Sequence, residues 1–114
     1  MPIAIDVHIF VKSGQTDAFK AAVAQIFKAL ETKQPHSLLR RLEGYYSVPE
    51  VENDPANLSS GEPLEFVLHE EWTSLADFFT GLTELKEDYD TYFAATADLM
   101  DGPRATKIYE VLEL

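Results

Sequence analysis

Glu70 and Trp72 stand two residues apart in a run, residues 64–79, that reads as an apolar strand entering a helix. In extended backbone, residues two apart share a face. Leu64, Phe66, Leu68, Glu70 and Trp72 therefore point one way, and Glu65, Val67, His69 and Glu71 the other. A carboxylate beside the only tryptophan of the chain offers a general base next to an aromatic wall. The segment that follows supplies Phe78, Phe79, Tyr89, Tyr92 and Phe93, enough aromatic surface to line a cavity for a planar ligand. Each of these residues also has a plainer reading. A tryptophan at a strand end commonly packs the core, and a strand-end glutamate is commonly a solvated charge. Both readings stay open at this level.

A second constellation is polar. His8 and His69 fall on strands expected to be neighbours and parallel, and by parity they share the face away from Trp72, with Asp6 and Glu71 beside them. Two histidines and two carboxylates are metal ligands by type, but their spacing matches no recognised metal motif. A hydrogen-bonded network inside a subunit interface is the alternative, and no metal site is assigned. His36 follows Pro35 in a turn and reads as exposed.

These residues need elements to hold them. Residues 3–12 alternate, with Ile3, Ile5, Val7, Ile9 and Val11 on one face and Ala4, Asp6, His8 and Phe10 on the other, which is a strand. Gly14 turns the chain, and Thr16 is suited to cap a helix with the stripe Phe19, Val23, Ile26, Phe27 and Leu30. Residues 38–48 read as a second strand, with a bulge expected at Gly44. Residues 49–63, rich in Pro, Asn, Asp, Ser and Gly, read as a long exposed loop or lid. After the Trp72 strand, Ser74 is an N-cap with Asp77 completing an imperfect capping box. Helical spacing then runs through residues 75–100, with a break expected near Glu87 and Asp88. Asp101, Gly102 and Pro103 end it, and residues 106–112 form a last strand.

The order β-α-β-β-α-β is the ferredoxin-like pattern of the α+β class, a four-stranded antiparallel sheet with helices on one side. Apolar and aromatic residues occupy the second face as well: Phe10, Val67, Tyr45 or Tyr46, and Tyr109 or Ile108. A sheet open to water should alternate more cleanly. A homodimer closed sheet to sheet, with a barrel-like interior, is therefore expected.

Nine basic against twenty acidic residues give a net charge of -11, which disfavours nucleic acid and anionic membranes because phosphate binding needs a basic patch. Without cysteine there is no disulfide framework and no thiol nucleophile. No apolar run approaches membrane-spanning length, and the first residues lack the basic and apolar regions of a signal peptide. A cytoplasmic protein of one domain, residues 1–114, is the expectation. No serine-histidine-aspartate signature, phosphate-cradling loop or dinucleotide fingerprint is present. The acidic run at residues 84–90 reads as a solvated helix face without the geometry of a calcium loop.

Three features together resemble the antibiotic biosynthesis monooxygenase family of dimeric α/β-barrel proteins. They are the apolar first strand running to Gly14 and a helix with Phe19, the run Glu70-Glu71-Trp72-Thr73-Ser74, and the final strand with Ile108, Tyr109, Glu110 and Val111 after a proline turn. Residues 35–63 depart from the pattern, since the family's shorter segment and its Glu-Pro-Gly start to the second strand are absent. The resemblance implies a ferredoxin-like dimer with a pocket between sheet and helices. It also implies an oxygenation of a small aromatic or quinol-type compound that uses neither metal nor flavin as cofactor. Such chemistry asks for a tuned base, an apolar cavity and hydrogen bonds to a developing anion. Glu70, Tyr89 and Tyr92 are the candidate catalytic residues; Trp72, Phe78, Phe79 and Phe93 are the candidate substrate contacts. A haem-degrading branch of the family carries a histidine on the helix after the tryptophan strand, and residues 75–100 here contain none. Tyr89 or Tyr92 would be the only substitutes as iron ligands in that stretch. The alternative from another class is a non-catalytic dimeric module that binds a small apolar ligand.

Overall fold

Alternation sets β1 at Ile3–Phe10, with Ile3, Ile5 and Ile9 buried beneath the helices. The computed structural model describes residues 1–46 and 63–114. The loop expected at residues 49–63 falls almost wholly outside them. The remaining elements are α1 (Thr16–Lys33), β2 (Ser37–Tyr45), β3 (Glu65–Trp72), α2 (Leu75–Glu84), α3 (Lys86–Thr96) and β4 (Ala105–Glu110). The strands form one sheet in the order β2-β3-β1-β4, antiparallel throughout. This is the ferredoxin-like α+β arrangement, with the second helical segment divided in two. No described helix is long and apolar enough to cross a membrane.

The core lies between the sheet and the helices. Phe19, Val23, Ile26 and Leu30 of α1 meet Ile5, Ile9, Phe66 and Leu68 of the two central strands. The ring of Phe19 sits 5.0 Å from that of Phe66. Gly14, at φ +82°, makes the turn that lets α1 fold back over the sheet.

Several local expectations are corrected. β1 and β3 run antiparallel: after α1 the chain runs through β2 in the direction of β1, and β3 then reverses and is laid between β2 and β1. β1 ends at Phe10; beyond it Val11 forms an isolated bridge to Met100, and its N–H donates to the carbonyl of Leu64 at 2.8 Å. Thr16 does not cap α1: it is the first helical residue, buried, and its hydroxyl donates to the carbonyl of Pro63 at 3.4 Å. The irregularity in β2 lies between Ser37 and Leu39, whereas Gly44 keeps regular register opposite Phe66. A side chain at Gly44 would come within 3.2 Å of Phe66 and of Pro63, so the glycine there serves close packing. The helical break falls at Leu85, a buried residue that anchors the joint, two positions before the acidic pair. Ser74 does cap α2, accepting from the backbone N–H of Asp77 at 3.1 Å, while Asp77 accepts instead from the hydroxyl of Thr73.

Candidate active site

Because β3 is central and its even-numbered residues face the helices, Glu70 is carried into the interior rather than to the surface. Only 6% of it is exposed. It borders a cavity of about 250 Å³ between the sheet and all three helices. Ile5, Leu68, Ile26 and Leu30 form the closed end, and the exposed Phe93 and Thr106 mark the open side. Glu70 is the one carboxylate among the described lining residues, and Arg104 the one cation. Burial pushes the Glu70 carboxyl up to about 7. The indole N–H of Trp72, donating to Oε1 at 3.4 Å, and the positive charges of Arg40 and His69 oppose that rise only in part.

The expected aromatic residues divide into three groups. Tyr89, Tyr92, Phe78 and Phe93 border the cavity. The Tyr89 hydroxyl is buried with no hydrogen-bond partner among the described residues. Burial raises the pKa of both tyrosines, so both stay phenols near neutrality. Trp72, expected at an open lip, is fully buried and does not line the cavity. It is pinned by Gly81, where a Cβ would lie 2.6 Å from the indole Cζ3, and Phe78 packs edge-on to it at 5.5 Å. It is thus the support behind Glu70, not a wall of the pocket. Phe79 is half exposed and lies outside the lining, because one residue beyond Phe78 the helix has turned away from the sheet.

The polar constellation assembles on the opposite face. His69 shares hydrogen bonds with Asp6 at Nδ1, 2.5 Å, and with Glu71 at Nε2, 3.1 Å. The Tyr109 hydroxyl donates to the second oxygen of Asp6 at 3.1 Å. Burial disfavours the imidazolium, but the hydrogen bonds it donates to Asp6 and Glu71 outweigh that cost and hold His69 above its ordinary value. His8 does not join them; it is exposed and lies 3.6 Å from Glu65. Among the described residues no cluster of His, Asp or Glu is arranged to hold a metal ion.

Sequence reasoning passed over Arg104. The available signal was parity: Arg104, immediately before β4, continues the alternation of Thr106, Ile108 and Glu110 toward the helix side, as Thr106 opposite Val7 requires.

The chain matches no family model and no curated protein. Solved structures do match it over nearly its whole length. A "putative antibiotic biosynthesis monooxygenase" from Nitrosomonas europaea superposes with a TM-score of 0.74 at 23% identity, covering 97% of this chain and 90% of its own. One of the same description from Caulobacter crescentus gives 0.76 at 13% identity, covering 98% and 91%. A protein from Mycobacterium tuberculosis gives 0.73 at 15%, covering 100% and 98%. The chain has an antibiotic biosynthesis monooxygenase-like fold. At such identities the likeness carries the fold, and the chemistry of this version of it has to be argued from its own residues.

Proposed function

We propose that the cavity binds a small aromatic or quinol-type compound and that Glu70 is the base of a cofactor-independent monooxygenation. The supporting observation is the one carboxylate among the described lining residues, desolvated to a value of about 7, in a pocket whose other lining, Arg104 apart, is mostly apolar. A base near neutrality is the most effective proton acceptor at neutral pH. In this reading Glu70 takes a proton from the bound ring, and the resulting anion passes one electron to dioxygen. The radical pair joins at a ring carbon that still bears a hydrogen, and the peroxide takes the proton back from Glu70 to become a hydroperoxide. That carbon then loses its hydrogen as a proton while the O–O bond breaks, and the departing hydroxide and the proton leave as water. One oxygen atom remains as a carbonyl and the other departs in the water. The free Tyr89 hydroxyl would donate to the developing anion, Tyr92 standing beside it, while Phe78 and Phe93 hold the ring plane.

Oxygen uptake with dihydroxylated aromatics and quinols, after chelation of metals, tests the reading. Turnover should fall about 10²- to 10⁴-fold in Glu70→Gln, with ligand affinity largely kept, because a base acts in the chemical step. Tight binding of such compounds without any oxygen uptake would favour a binding module instead.

The same reading includes a homodimer. The sheet face away from the helices exposes Phe10, Leu39 and Tyr45 around the Asp6–His69 pair, a mixed surface that a second copy would cover. A sedimenting monomer at micromolar concentration would refute it.

A further inference from the structure

Arg104 sits between α3 and the start of β4, half-buried, on the open side of the cavity. Gly102, at φ +101°, turns the chain just before it. The guanidinium lies 4.6 Å from the ring centroid of Phe93 and 5.9 Å from that of Tyr92. Its one side-chain hydrogen bond among the described residues goes from Nη2 to the thioether of Met100 at 3.3 Å, a weak acceptor. In a chain with twenty acidic residues, no described carboxylate forms an ion pair with it. Nor is it the partner of Glu70, whose neighbouring positive charges are those of Arg40 and His69; Arg104 acts on Tyr92 instead. The cavity thus holds a carboxylate and a cation that do not neutralise each other, with Tyr92 influenced by both. A guanidinium stacked on aromatic rings is already oriented and has a planar fork to offer a bidentate anion.

We propose that Arg104 selects an aromatic acid: a planar ligand whose ring fills the apolar cavity and whose carboxylate pairs with the guanidinium at its mouth. This rests on the cavity being the ligand site, as argued above, and adds the charge of the ligand. Such a group at the open side leaves the ring end to approach Glu70. The overall negative charge of the protein repels anions from much of its surface, whereas the mouth of the cavity presents them with a cation that no described carboxylate neutralises.

The test is binding of 2-naphthoate against its neutral near-isostere 2-naphthamide, followed by calorimetry in mildly alkaline buffer without any turnover. The wild type should prefer the acid by about tenfold or more, the range of one charge-assisted pair. Added salt should weaken the acid alone. In Arg104→Gln the preference should vanish while the amide binds as before. Equal affinity of the two ligands in the wild type, or a preference that survives in Arg104→Gln, overturns the proposal. Should Arg104→Gln bind neither, Arg104→Lys decides: a retained preference for the acid supports the proposal, and its loss with the amide still bound refutes it. Loss of oxygen uptake with the acid preference intact would count against the oxygenation reading alone. Uptake without the preference would count against this inference alone.

Discussion

His69 and Glu70 are adjacent in β3 and lie on opposite faces of one sheet: the imidazole among Asp6, Glu71 and open surface, the carboxyl in the cavity. Both ionise abnormally, both are pushed upward, and for opposite reasons. Burial drives Glu70 to keep its proton. For His69 burial works the other way and is outweighed by two carboxylate hydrogen bonds.

Stability should therefore fall as pH rises through neutrality. Glu70 binds its proton more tightly folded than unfolded, so the stabilisation is complete below its ordinary 4.5 and is lost by about 7, a loss on the order of 3 kcal/mol. His69, also raised, adds a loss that begins near its ordinary 6.5 and ends above its folded value. Urea unfolding across this range should show midpoints declining steadily, and Glu70→Gln should flatten the acidic part. A wild-type profile without slope would contradict the burial of Glu70.

Asp6→Asn should move the His69 titration downward, since it replaces a carboxylate partner at Nδ1 with a neutral amide. Proton NMR of the imidazole ring reads this directly. An unchanged midpoint would mean that Glu71 alone holds the ring.

Trp72→Ala should destabilise the fold by about 3–5 kcal/mol, the usual result of emptying a buried aromatic site. The indole is fully enclosed and shares a hydrogen bond with Glu70. Thermal melting checks the loss. A small change would mean that the site is far less packed than Gly81 and Phe78 imply.

Ser74→Ala should cost about 1 kcal/mol by leaving the first turn of α2 without its side-chain acceptor. Chemical denaturation is sensitive enough to read it. Ser74→Asp, which keeps an acceptor there, should lose much less.

Haemin should give no shifted Soret band at equal stoichiometry. α2 and α3 carry no histidine, and burial holds Tyr89 and Tyr92 as phenols, poor ligands for iron. A sharp one-to-one spectrum would overturn the account of those tyrosines.

Much of this arrangement was legible because strands have a period of two. The alternation in β1 and β3 alone placed Glu70 on the helix side and gathered Asp6, His69 and Glu71 on the other. Side-chain chemistry gave the Ser74 cap. The losses came where distant segments decide. Nothing local to Trp72 says that Gly81 will close over it. Phe78 and Phe79 look equivalent in sequence and part company by one step of helical rotation. His8 lies on the expected face yet pairs with Glu65, near the far end of the strand pair. Arg104 acquires meaning only when β4 is laid beside β1 and under α3, a juxtaposition made by the fold.

The close approach of Trp72 to Gly81 also bears on how such a chain can change. Alanine at position 81 alone meets the indole and should cost about 1–3 kcal/mol, and a smaller ring at 72 alone leaves a void. Phe at 72 with Ala at 81 exchanges one volume for the other, so the double variant should be more stable than the sum of its parts. The two positions are therefore expected to change together. Drift at either one must pass through a weakened intermediate, and that bottleneck would keep the floor beneath Glu70 constant while the rim of the cavity diversifies.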